Sequence, residues 1–113
     1  MRYEIELGRQ FKKNFKRLIK KYKSIDKDLE NLIEQLENNP YTGTDLGGGV
    51  RKIRMAISDK AKGKSHGARI ITYTVTVDET SGTVTLLTIY DKEDLETITA
   101  REIAMLLNEI DIE

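Results

Sequence analysis

Cysteine and tryptophan are absent from this 113-residue chain, and proline and histidine occur once each. Without cysteine there is no disulfide and no thiolate metal site, and a reducing cytosol is permitted. The single histidine, His66, has no acidic cluster beside it, which argues against a zinc or other transition-metal site. No apolar run approaches the roughly 20 residues needed to cross a bilayer. Glu4 and Glu6 interrupt the first apolar residues, unlike a signal peptide. Net charge is also lacking: 19 basic residues balance 19 acidic ones, which speaks against a nonspecific nucleic-acid coat protein. What is present, 38% hydrophobic and 34% charged residues, suits one globular domain over residues 1–113 with a single modest core.

The charge is sorted along the chain. From Val50 to Thr72 there are seven basic residues (Arg51, Lys52, Arg54, Lys60, Lys62, Lys64 and Arg69) against one acid, Asp59. From Asp91 to Glu113 there are eight acids against Lys92 and Arg101. A nearly neutral chain that gathers cations in one segment is organised to hold a polyanion there.

Arg2–Leu7 alternates polar and apolar, with Tyr3, Ile5 and Leu7 on one side, and predicts a half-buried strand that Gly8 ends. Phe11, Phe15, Leu18, Ile19 and Tyr22 then recur as one helical stripe. The rest of that helix carries Lys12, Lys13, Lys16, Arg17, Lys20 and Lys21, which reads as a solvated face rather than an RNA contact. Ser24 is placed to cap a second helix with the stripe Ile25, Leu29, Leu32, Ile33 and Leu36, ended by Asn38-Asn39-Pro40. A basic helix joined by a short turn to an acidic one predicts a helical hairpin laid on a sheet. Pro40–Gly49 is rich in turn residues and reads as a connection. Its three glycines are followed by neither Gly-Lys-Ser/Thr nor a helix, so it is no nucleotide-binding loop.

Three strands follow, Val50–Ile57, Ala68–Asp78 and Thr83–Asp91. In the first, alternation puts Ile53, Met55 and Ile57 on one face and Lys52, Arg54 and Ala56 on the other. Lys52 and Arg54 then stand about 7 Å apart, a repulsive pair that an anion between them would relieve. The second strand is apolar on both sides near its start, as a central strand covered on both faces would be. Antiparallel return of the third brings Tyr90 and Lys92 toward Arg69. Finally, Thr99-Ala100-Arg101-Glu102 fits a capping box, with Ile98 and Ile103 as the hydrophobic staple of a closing helix. The expectation is an α+β fold in the order β-α-α-β-β-β-α, a twisted and mainly antiparallel sheet with the helical hairpin on one face and a C-terminal helix.

With that order in view, the chain resembles the RelE/ParE superfamily of type II toxin–antitoxin toxins, and within it the RelE/HigB-like mRNA interferases. The matching stretches are the first strand, FKKNFKRLIKKY, GGGVRKIRMAI, KSHGARIITY and LLTIYDKEDLETIT with its closing helix. The resemblance implies a cytoplasmic toxin that cuts mRNA on the ribosome without metal or cofactor and is restrained by an antitoxin. The reaction it implies is attack of a ribose 2′-oxygen on the adjacent phosphate, which needs a base, cations for the growing charge and an acid for the leaving oxygen. The family's basic pair falls on Lys52 (proton acceptor) and Arg54 (phosphate clamp). The arginine opening its third strand falls on Arg69, a second clamp. Its cationic position after the fourth strand falls on Lys92, as clamp or leaving-group acid. Tyr90 stands in for stacking or proton transfer, because the family's closing tyrosine falls near Ile98; a further family arginine is Ala56 here. Lys60, Lys62, Lys64 and His66 are expected to add sequence-blind contacts to RNA. Two other readings stay open: a ParE-like poison of DNA gyrase, and a catalytically degenerate module that only binds its antitoxin.

Overall fold

A computed structural model of the protein describes residues 2–61, 63, 66–95 and 97–112. The elements run β1 (Arg2–Leu7), α1 (Arg9–Lys21), α2 (Ile25–Asn38), β2 (Thr44–Gly47), β3 (Val50–Met55), β4 (Ala68–Thr76), β5 (Ser81–Asp91) and α3 (Ala100–Ile112). A 3-10 turn, Ser58–Lys60, follows β3. The five strands form one sheet in the order β1-β5-β4-β3-β2. Only β1 and β5 are parallel; the other pairs are antiparallel.

The α+β class and the element order match the sequence reading, with one strand more. β2 lies inside the segment read as a connection. It is an edge strand exposed along its whole length, so nothing in it alternates, and alternation is the signal that betrays a strand. The three glycines form its hairpin turn: Gly47, Gly48 and Gly49 take φ of 94°, 62° and 85°, a region that side chains disfavour. Ser24 also departs from expectation. Its own backbone is helical and its hydroxyl makes no cap; it accepts instead from the Asp59 amide at 2.8 Å, while Asp59 Oδ2 accepts from the Ser24 amide at 2.9 Å. Asp28 completes this knot by accepting from the Ser58 amide and hydroxyl, tying the α1–α2 turn to the segment after β3.

The sheet is covered on both faces. On one, the stripes of α1 (Phe11, Leu18) and α2 (Ile25, Leu29, Leu32, Leu36) close over Ile53, Met55, Ala68, Ile70, Val84, Leu86 and Ile89. On the other, Ile98, Ile103, Leu106, Leu107 and Ile110 of the α3 region pack on Val50, Ile71, Leu87 and Tyr90. β4 is the middle strand, and Ala68–Ile71 is buried on both sides, as its continuous apolar character requires. The capping box is formed: the Glu102 amide donates to Thr99 Oγ1 at 3.1 Å, and the Thr99 hydroxyl donates to Glu102 Oε1 at 3.0 Å. α3 therefore starts where its residues dictate and lies over the face that carries the cations of β3.

Candidate functional site

Strand register decides which of these cations meet. β3 and β4 pair with Arg54 opposite Arg69, and β4 and β5 pair with Arg69 opposite Tyr90. The three side chains therefore form one row across three adjacent strands, each about 5 Å from the next. The row behind it is Lys52, Ile71 and Thr88. Lys52 shares the face of Arg54, two residues away, so alternation and register together place Lys52, Arg54, Arg69 and Tyr90 in one patch. A register slip of one residue would have turned Arg54 into the core.

The members of the row differ in burial. Arg54 is exposed and Lys52 half-buried. Arg69 is only 3% exposed, and its guanidinium donates to the Ala68 carbonyl at 3.2 Å among other interactions. Burial, and then the charge of Arg54, lower the Arg69 pKa, while Tyr90 opposes them. Two guanidinium groups directly opposite each other on neighbouring strands repel, and an anion placed over both would remove that repulsion. Tyr90 is 9% exposed, and its hydroxyl is buried without a hydrogen-bond partner. Burial raises its pKa, Glu102 adds to the rise, and the Ile98 amide and Arg69 oppose it. Tyr90 lines two clefts, one of 310 Å³ shared with Asn14, Arg17 and Lys21, and one of 250 Å³ between α1, β5 and α3.

Lys92 lies one residue beyond β5. Its amide donates to the Gly67 carbonyl at 3.1 Å and so extends the β4–β5 ladder to the same end of the sheet as the row. His66 is exposed, one residue before Gly67. Lys62 and Lys64 lie outside the described residues. Lys60 is engaged elsewhere: its side chain is 6% exposed and its ammonium sits 2.7 Å from Asp91 Oδ1 and 3.3 Å from Glu93 Oε1. It also donates to the His66 carbonyl at 2.9 Å and lies 5.3 Å from the centre of the Tyr22 ring. Lys60, expected from the sequence to contact RNA, thus meets two carboxylates within the protein. Ala56 is half-buried beside Arg54 in a 220 Å³ cleft under α2, and Ile98 packs with α3.

Asp91 is the residue that sequence reasoning did not single out. It is 1% exposed, and its carboxylate accepts from Lys60, from the Glu93 amide at 3.0 Å and from the Tyr22 hydroxyl at 3.0 Å. Burial pushes its carboxyl up, but those hydrogen bonds outweigh burial and hold it below the usual carboxylate range. Burial likewise pulls Lys60 down, and its bonds to Asp91 and Glu93 more than reverse that. The one signal in the sequence was an acid between Tyr90 and Lys92, and an acid at a strand end is ordinarily solvated. Among the described residues no cluster of three or more His, Cys, Asp or Glu could hold a metal ion. No described helix is long and apolar enough to cross a membrane.

Comparison with curated proteins returns no match. Comparison with protein families gives one: the sequence profile described as RelE toxin of the RelE/RelB toxin-antitoxin system matches residues 9–110.

Proposed function

The chain belongs to the RelE toxin family of toxin–antitoxin systems, and from that premise we propose that it is a ribosome-dependent endoribonuclease that cuts mRNA and so stops translation. Membership implies an antitoxin as partner. The observation that supports the nuclease is the row Arg54–Arg69–Tyr90 with Lys52 behind it. A poison that acts only by protein contact needs no such gathering of cations around a proton-bearing hydroxyl.

In the reaction, the scissile phosphate lies across Arg54 and Arg69, whose guanidinium groups meet the charge that grows on its oxygens. Lys52 takes the proton of the ribose 2′-hydroxyl. The 2′-oxygen forms a bond to phosphorus as the bond to the 5′-oxygen breaks, leaving a cyclic phosphate on one fragment. The departing 5′-oxygen receives a proton from Lys92 or from Tyr90, whose raised pKa keeps it protonated at neutral pH. Arg69 is pre-set by burial, while the exposed Arg54 completes the clamp when RNA arrives.

Translation in a purified system with mapped mRNA ends tests this. Codon-positioned cuts should appear with the native protein. They should fall by about 100-fold or more with Lys52→Ala and with Arg54→Ala. Arg54 is exposed, so its loss leaves the fold in place. Intact mRNA together with stalled gyrase complexes would instead establish the gyrase poison, and inactivity in both assays the antitoxin-binding module.

A further inference from the structure

A buried ion pair needs a reason. Taking two charges out of water costs several kcal/mol per ion, and an apolar pair of similar volume is often as stable. Lys60 and Asp91 are such a pair, and their partners lie in three separate segments. Tyr22, at the end of α1, donates its hydroxyl to Asp91 Oδ2 and offers its ring to Lys60. His66, at the end of the long β3–β4 connection, gives its carbonyl to Lys60. Glu93 gives its carboxylate to Lys60 and its amide to Asp91, while the Asp94 and Leu95 amides donate to the Asp91 backbone carbonyl. Asp91 itself pairs with Ala68 in the sheet and is flanked in the chain by Tyr90 and Lys92.

We infer that Lys60 and Asp91 form a clasp that positions the proton-transfer end of the site, and that both are positioning residues for the proposed reaction. The inference rests on the site reading above. Its physical content is a constraint on two backbones. The connection from Ser58 to Gly67 has no strand or α-helix among its described residues, and Lys60 pins its far end by holding His66. The turn after β5 is pinned by Asp91. The two pinned segments then meet in the bond from the Lys92 amide to the Gly67 carbonyl. Lys92 and Arg69 each lie two residues or fewer from that junction. A directional charge pair holds such a junction at one geometry, whereas apolar packing tolerates sliding. Asp91 makes four bonds in the clasp, counting those to its backbone carbonyl as one, so it acts as the hub.

The test is the neutral pair Lys60→Met/Asp91→Asn, in which the asparagine oxygen can still accept from the Glu93 amide while its NH2 donates to the Tyr22 hydroxyl oxygen. Its thermal transition and amide spectrum establish that it is folded. Two quantities are then measured beside the native protein: hydrogen exchange at the Lys92 and Arg69 amides, and kcat and KM for cleavage of ribosome-bound mRNA. The clasp predicts Lys92 exchange about 10-fold faster or more, kcat lower by about 10- to 100-fold, and KM within about twofold, because misplacement and not binding is the defect. A folded neutral pair that keeps Lys92 protected, or that cleaves at the native rate, overturns the inference; so does a loss carried by KM alone. If the native protein itself does not cleave, the site reading fails. Amide exchange alone then decides whether the clasp holds the junction.

Discussion

Tyr90 and Asp91 sit side by side at the end of β5 and answer opposite requirements. The Tyr90 hydroxyl is buried without a partner, a loss of hydrogen bonding that the folded protein carries. Tyr90→Phe should therefore leave the protein as stable or more stable by about 1 kcal/mol in urea unfolding, while cleavage falls, as for a group kept for chemistry. Asp91 is the reverse case. Asp91→Asn leaves Lys60 buried with only Glu93 as its anion, and should cost about 3 kcal/mol at neutral pH. The sign with pH follows from the depressed carboxyl pKa. Its stabilisation is complete above the ordinary carboxylate range and is lost as pH falls through the lower folded-state value. The gap between native protein and Asp91→Asn should thus be wide at pH 7 and narrow progressively in acid. A gap independent of pH would show that the carboxylate charge contributes nothing.

Among the elements, α3 depends most on its own first turn. It rests on the sheet through one apolar stripe, and Met105 on its outer side is 61% exposed. The reciprocal bonds of Thr99 and Glu102, with Ile98 and Ile103 packed beside them, set where it begins and so how it lies over the cation-bearing face. Thr99→Ala should cost about 1 kcal/mol, seen as faster amide exchange in the first turn of α3 with the rest of the sheet unchanged. β3 and β4 are tied differently. Gly67 comes so close to β3 that an added Cβ would lie 2.1 Å from the Met55 carbonyl oxygen, which fixes the start of β4 and hence the position of Arg69.

Across the whole molecule, a net charge of zero hides a sorted surface. The exposed side of α1 carries Lys12, Lys13, Lys16, Arg17, Lys20 and Lys21, and that of α2 carries Glu30, Glu34 and Glu37. The row of β3, β4 and β5 lies on the other face of the sheet from both helices. Binding of an RNA oligonucleotide should weaken linearly in log affinity against log salt, and Arg54→Ala should lower that slope by about 1. Lys60→Met should leave the slope nearly unchanged, because Lys60 already has its anions within the protein. An equal drop for both variants would mean that Lys60 leaves the clasp to meet RNA.

Periodicity alone was enough for the helices, for four of the five strands and for the two-faced burial of β4, because each is a local pattern imposed by a fixed rise and twist. It also separated Lys52 and Arg54 from Ile53 and Met55, since alternation along one strand needs no partner. β2 was hidden: an exposed edge strand has no face to bury and so no pattern to show. Which cations share a row was equally beyond the sequence. Pairing Arg54 with Arg69 and Arg69 with Tyr90 depends on register between residues 15 and 21 positions apart in the chain, set by the close approach at Gly67 and a bulge after Ile71. Lys60 and Asp91 show the limit most plainly. In sequence each is a charged residue beside others, and only the folded chain closes water away from both and makes them a pair.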